Sequence, residues 1–337
     1  MPRSNTEPSC SSSPNASVFC AVVIGRNEGD HLKRCIDSLS EASALVYVDS
    51  GSTDGSVQWA RDRGVDTVDL DMSIPFTAAR ARNAGFHRLR HLIPHLRYVH
   101  FVDGDCELVS GWAEKAVSFL ASHPEVAAVC GRLRERFPER SVYNWLCDKE
   151  WAGPVGEIPF CGGNAMMSVE AFEAAGGYRD DMVGGEEPEL CVRLRRKNWK
   201  IWRLDADMAL HDADMTRFSQ WWQRTERGGY AFARGASLHG AAPERHWVWE
   251  TRRALIWGVC LPVACTLLSL WNIWGLLSWL VYAAQIGRLS LRGSGRWTPR
   301  LVLGSFHVLG RFPEGWGVLK FLRDRILGRL PRPGEHG

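Results

Sequence analysis

Residues 97–106 read RYVHFVDGDC, an apolar run that ends in Asp103-Gly104-Asp105. Aromatic and β-branched residues without Gly or Pro predict a buried strand, and the two carboxylates then emerge together where it ends. Taken alone, Asp-Gly-Asp is turn chemistry. At the carboxyl edge of a sheet, where ligands of open α/β folds sit, paired hard oxygens suit Mg2+ or Mn2+ bridging to phosphate.

The flanking segments supply that sheet. Short apolar runs at 18–24 (VFCAVVI), 44–48 (ALVYV), 65–70 (VDTVDL), 97–102 and 126–130 (VAAVC) alternate with helical patterns near 30–39, 55–63, 77–91 and 111–121. Such alternation predicts a mostly parallel sheet flanked by helices. The loops at the strand ends carry acids: Glu28, then Asp49 and Asp54, then Asp103 and Asp105. No G-x-G-x-x-G follows the first strand and no G-x-x-x-x-G-K-[ST] occurs, so the usual dinucleotide and P-loop cradles are missing. Asp54, in S-T-D-G, reads as a cap for the next helix.

Ten cysteines without a C-x-x-C pair suggest neither a disulfide framework nor structural zinc, which fits a reducing, cytosol-facing compartment. Residues 1–17, rich in Ser and Pro, read as a disordered tail. The net charge of +3 is uneven: residues 288–337 hold ten Lys/Arg against three Asp/Glu. That basic end follows 34 residues, 254–287, with no Asp, Glu, Lys or Arg. A bilayer surface accounts for both features together and nucleic acid does not. The arginines at 252, 253, 288, 292 and 296 favour the cytoplasmic side for both ends, and so a hairpin broken near Trp271-Asn272 over a single crossing. Residues 314–330 follow as an amphipathic interfacial helix with Trp316, Leu319, Leu322, Ile326 and Leu330 on one stripe.

In order along the chain, AVVIGRNEGDHLKRCIDSL (21–39), VYVDSGSTDGS (46–56), ARNAG (81–85), FVDGD (101–105) and GGYRDDMVGGEEPELCVRLRRKNWKI (176–201) resemble the motifs of family 2 glycosyltransferases. The resemblance spans about residues 18–235. It implies the GT-A fold, a nucleotide-sugar donor, a divalent cation and inversion at the anomeric carbon. It places Asn27, Glu28 and Asp49 beside the nucleoside, Arg82 and Asn83 near the diphosphate and sugar, and Asp103 and Asp105 at the cation, with His211 as a further ligand. Arg80 and Arg88 read as solvated helix charges.

Glu187 falls on the family's catalytic Asp, with Glu186 before it, and a carboxylate there would accept the acceptor hydroxyl's proton. Glu189, four residues ahead of Arg193, reads as a helix-surface charge. Gly163 and Asn164 fall where relatives shape the acceptor pocket. Trp222 and Arg224 lie in a segment resembling one over the donor phosphates, but Thr225 departs from the processive Q-x-x-R-W pattern, which points to a single transfer.

The expected organisation is therefore a GT-A catalytic domain over 18–240 and a membrane-associated helical region over 241–337. The partners implied are a nucleotide sugar, a lipid-linked or cell-surface-glycan acceptor and membrane lipids. The expected location is a bacterial-type inner membrane with the catalytic domain in the cytoplasm. A nucleotidyltransferase and a silent nucleotide-binding relative are the competing readings.

Overall fold

The structure, a computed structural model, describes residues 19–292 and 296–329. The expected N-terminal tail and Leu330 lie outside them. The strand–helix alternation holds through the first half: β1 (Cys20–Gly25), α1 (Asp30–Ser38), β2 (Ala44–Asp49), α2 (Ser56–Asp62), β3 (Asp66–Asp69), α3 (Ala78–Leu92) and β4 (Tyr98–Asp103). Beyond Gly104-Asp105 comes a three-residue strand, β5 (Cys106–Leu108), then α4 (Trp112–Ser122), β6 (Val126–Glu135) and α5 (Val142–Glu150). The chain continues through β7 (Gly156–Glu157), β8 (Ala165–Ser168), α6 (Val169–Ala175), α7 (Glu186–Arg196) and β9 (Lys200–His211).

The nine strands among the described residues join one sheet, ordered β3-β2-β1-β4-β8-β6-β9-β5, with β7 on β9. β1 to β4 pair in parallel, as does β6 with β9, whereas β8 runs antiparallel between β4 and β6. Val22, Val23, Val46, Val48, Val99, Phe101 and Val102 are fully buried, the near-continuous apolar reading of strands covered on both faces. Gly85 explains part of the ARNAG motif: a Cβ there would lie 2.4 Å from Val22 Cγ1 and 2.9 Å from Val48 Cγ2. Its absence lets α3 settle directly on the sheet, and Arg82, one turn earlier on the same face, reaches the carboxyl edge. Thr77 starts the helix by accepting the Arg80 amide at 3.1 Å.

The C-terminal helices begin with α8 (Phe218–His239). α9 (Val248–Leu255) runs through a wider π-turn (Ile256–Cys260) into α10 (Leu261–Trp271). Pro262 has no N–H to continue the ladder, and the wide turn precedes it. Together Val248–Trp271 makes a 24-residue helix, about 36 Å at 1.5 Å per residue. Asn272 then turns extended and its side chain accepts the Trp274 amide at 2.9 Å. A 3-10 helix (Ile273–Trp279) and α11 (Leu280–Arg292) lead back, and the Tyr282 hydroxyl donates to the Trp257 carbonyl at 2.7 Å. The break falls at Asn272, and among the described residues only the first arm is long and apolar enough to span a bilayer. At the tip Trp271 is 86% and Trp274 73% exposed.

α12 (Trp297–Leu309) and α13 (Arg311–Ile326) are the last helices among the described residues. α13 packs on α8 through one face, burying Gly317, Val318 and Phe321, while Trp316, Leu322 and Ile326 of the expected apolar stripe stay exposed. The helices meet backbone to backbone: a Cβ on Gly229 would lie 2.0 Å from the Glu314 carbonyl oxygen, and one on Gly317 2.1 Å from that of Glu226.

Candidate active site

The sheet register sets the acids side by side. Ile24 pairs with Asp103 and Gly25 with Asp49, so both acids stand at one carboxyl edge. Asp49 is buried and organises the loop after β2: it accepts from the Tyr47 hydroxyl at 2.8 Å and from the Gly51 and Ser52 amides at 2.9 and 2.8 Å. Asn27, in the left-handed region at φ 58°, ties the first loop to the second by accepting the Thr53 amide at 2.7 Å. Asp54 accepts from the Gly29 and Ser56 amides at 2.9 and 3.0 Å; Gly55, not Asp54, is the residue that caps α2, so Asp54 ties the first loop to the second where a helix cap was expected. Glu28 lies against Gly25 and Gly104. Burial and the Asp105 charge push its carboxyl up to about 7.

Arg82 is the centre of a second cluster. It is 3% exposed and meets three carboxylates: Asp103 Oδ1 and Glu186 Oε1 at 2.8 Å and Glu187 Oε1 at 3.1 Å. The guanidinium fork suits several simultaneous acceptors. Burial and the adjacent Glu186 push Glu187 up to about 8, against the pull of Arg82 and with a further push from Asp103. A Cβ on Gly163 would fall 2.4 Å from Arg82 Nη2, 2.8 Å from Asp103 Oδ2 and 3.0 Å from Glu187 Oε1. Only glycine therefore leaves room between the three. Asn164, buried beside it, accepts the Asp103 amide at 3.2 Å through Oδ1.

Asn83 faces the other way. Its amide donates to the Tyr178 carbonyl and the Asp180 carboxylate at 2.8 and 2.7 Å and accepts from the Tyr178 amide at 3.0 Å. It staples the 177–182 loop that leads into α7.

On the far side of Asp103, His211 closes β9 and sits 3.2 Å from Asp105 through Nε2. Asp105 and the Glu135 carboxylate hold its imidazole charged, up to about 10, despite burial. His211 Nδ1 is buried without a hydrogen-bond partner. Asp105, Cys106 and His211 have ligand atoms within 4.8 Å of one another. The Asp105 oxygens and the His211 imidazole, which would give up its proton on binding, are a donor set that fits a divalent cation such as Mn2+ or Mg2+.

Asp103, Gly163, Asn164, His211 and Arg224 open together onto a cavity of about 510 Å3, also lined by Trp151, Met215 and Gln220. Arg224 leans on its rim, paired with Glu150 at 2.7 and 3.1 Å. Trp222 packs instead with Phe218 and the cluster around Cys147, Met215 and Trp221.

Sequence reading missed Glu135, Glu150 and Trp151. Glu135 ends β6, five residues beyond the expected strand, and takes the Asn144 amide and the Ala213 N–H at 3.0 and 3.1 Å. The alternation in RLRE after Cys130 was the available signal.

Glu189 departs from expectation. It is fully buried, bonded to Arg193 at 2.7 Å and to His239 of α8 at 2.9 Å, because α8 lies over the face of α7 that was read as open. Asp181 likewise joins Arg179 at 2.9 Å to Arg234 of α8. Arg88 and Arg80 are also engaged. Arg88 clasps Asp66 at 2.6 and 2.8 Å, and Arg80 donates to the Asp71, Ile74 and Pro75 carbonyls. Glu189→Gln is accordingly expected to destabilise the protein by about 1–3 kcal/mol, read as a lowered unfolding temperature.

The model of the Glycosyl transferase family 2 matches residues 20–175. The succinoglycan biosynthesis protein ExoA of Rhizobium meliloti (strain 1021) is 28% identical over 200 residues, which are 55% of this chain and 60% of that protein. Among solved structures, a mannosyltransferase from Pyrobaculum calidifontis, in complex with GDP-Man and Mn2+, has a TM-score of 0.56 at 19% identity, over 94% of this chain and 90% of its own. S. aureus TarS (residues 1–349) has a TM-score of 0.51 at 12% identity, over 92% of each chain. The family 2 match begins at the first residue of β1 and takes in the Asp103-Gly104-Asp105 edge, so residues 20–175 are similar to the family 2 glycosyltransferases, and the solved structures share the GT-A arrangement of the sheet.

Proposed function

We propose that the protein is an inverting, divalent-metal-dependent, membrane-associated glycosyltransferase. In this reading it moves one sugar from a nucleoside-diphosphate sugar to a lipid-linked or cell-surface-glycan acceptor. The observation that carries the reading is the Arg82 cluster, in which one buried guanidinium holds Asp103, Glu186 and Glu187 around the gap at Gly163. The succinoglycan biosynthesis in the name of the Rhizobium relative supports a glycan-building role. The Mn2+ and GDP-Man in the Pyrobaculum structure support the donor and cation classes.

Asp105, Asp103 and His211 would hold the cation, which when bound supplies positive charge to the donor diphosphate. Glu187 stands at the gap and is less covered than Glu186, which makes it the base. Its carboxylate takes the acceptor hydroxyl's proton while the oxygen bonds to the anomeric carbon and the nucleoside diphosphate departs. Arg82 keeps Glu187 and Asp103 in place, and Asn164 fixes the backbone at Asp103. Asp49 shapes the loop that borders the nucleoside.

A panel of nucleotide sugars offered to the purified enzyme, with products weighed by mass spectrometry, tests this. Nucleoside diphosphate should be released and the acceptor should gain one hexose mass. Pyrophosphate release would assign a nucleotidyltransferase, and turnover undiminished in EDTA would remove the cation from the mechanism.

The apolar arms over 254–287 are proposed to enter the bilayer as a hairpin, with the exposed stripe of α13 at its surface. The uncovered Trp271, Ile273 and Trp274 at the tip support this. Alkaline and high-salt extraction of membranes should leave the protein in the pellet, and a reporter after Gly337 should stay cytoplasmic.

A further inference from the structure

A second cavity, of about 220 Å3, lies at the base of the hairpin. It is separate from the catalytic cavity and shares none of its lining residues. Arg253 of α9, His307 of α12 and Arg311 of α13 converge on it, with Gln285 of α11 as a neutral polar neighbour and Trp257 and Leu289 as apolar walls. The volume equals roughly seven waters at about 30 Å3 each, enough for a phosphate group and its ester oxygens.

The charges around it do not balance. Arg311 is paired with Glu314 and donates to the His307 carbonyl at 3.1 Å. Arg253 Nε is buried with no hydrogen-bond partner. Burial and the two arginine charges hold His307 below the ordinary imidazole range, and Arg311 is lowered by burial and by Arg253. Glu314 faces both arginines, and Glu250 and Glu150 lie farther out. Two guanidiniums and an imidazole thus share one close carboxylate, which leaves positive charge at the cavity for an oxyanion to balance.

The surroundings are apolar. Ile256, Leu280 and Leu291, on the same arms, expose more than half of their surface. Free phosphate has no use for such a surface, whereas a lipid places a charged headgroup and its chains a few ångströms apart.

We propose that this pocket binds the phosphate group of a membrane lipid, with the lipid's chains lying along the exposed apolar arms. The proposal rests on the membrane association argued above, which alkaline extraction tests separately.

The full chain, purified in neutral detergent and offered phosphatidic acid or diacylglycerol with the same chains, should retain the former at least about tenfold better in native mass spectrometry. Arg253→Gln should remove that preference, while Arg252→Gln, an equal charge change at an exposed neighbouring position, should keep it. Should Arg253→Gln not fold, Gln285→Glu carries the same expectation by placing a negative charge in the pocket. Equal loss in both arginine variants would reduce the effect to surface charge and overturn the site. Equal retention of diacylglycerol would overturn the phosphate. Complete displacement by inorganic phosphate at concentrations equal to the lipid's would assign the pocket to a free ion instead.

Discussion

Replacing Glu187 with glutamine is expected to lower sugar transfer by at least about a hundredfold while leaving donor affinity near that of the wild type. Loss of a general base costs about 10²- to 10⁴-fold, and glutamine keeps the size and the contact with Arg82. Isothermal titration with the nucleotide sugar and single-turnover transfer separate the two quantities. The pH profile adds a sign. With Glu187 held up to about 8 by burial and by Glu186, the carboxylate form grows as pH rises, so transfer by the wild type should climb between pH 6 and about 8. The residual rate of the variant should not follow that limb. Undiminished transfer in Glu187→Gln together with loss in Glu186→Gln would move the base one residue back, onto the carboxylate now bonded to Arg82 Nη1.

The largest expected loss of stability belongs to Arg82→Gln. One cation at 3% exposure holds three acids, and removing one partner of a buried ionic cluster costs about 3–5 kcal/mol. The loss depends on pH in a defined direction. Without Arg82 the Glu187 carboxyl, already held up to about 8 by burial and Glu186, rises further. Its protonated form then suits the variant's fold, and relative to the wild type stability is lost as pH rises through about 8. The deficit relative to the wild type should therefore be smaller at about pH 6 than at about pH 9, as read from denaturant melts at both. A deficit independent of pH would mean that Arg82 acts by packing alone.

Much of this was legible along the chain. The parallel half of the sheet follows from continuous apolar runs, and the carboxyl-edge acids from where those runs stop. The break at Asn272 was visible because a polar residue interrupts an apolar run. β5 was not, because three residues after a turn carry no period. Glu189 was misread for a different reason: its spacing from Arg193 is that of a surface pair, and only the later arrival of α8 buries it. The pairing of Arg224 with Glu150, 74 residues apart, has no local signature at all. Arg82 was legible from its motif, but its three acids come from two distant segments, the end of β4 and the start of α7, that the fold alone assembles.

The glycine seam between α8 and α13 bears on where this enzyme can be divided. A fragment ending at Gly240, where the catalytic pattern stops, would keep α8 but strip it of α13, laying bare Gly229 and Ala233. That same helix carries Arg234 and His239, which grip Asp181 and Glu189 on either side of the proposed base. The greasy portion is therefore an insertion between two parts of one scaffold and not a detachable tail. A water-soluble version would have to lose the hairpin internally while retaining Arg311–Ile326, because trimming from the C-terminal end removes the brace before it removes the grease.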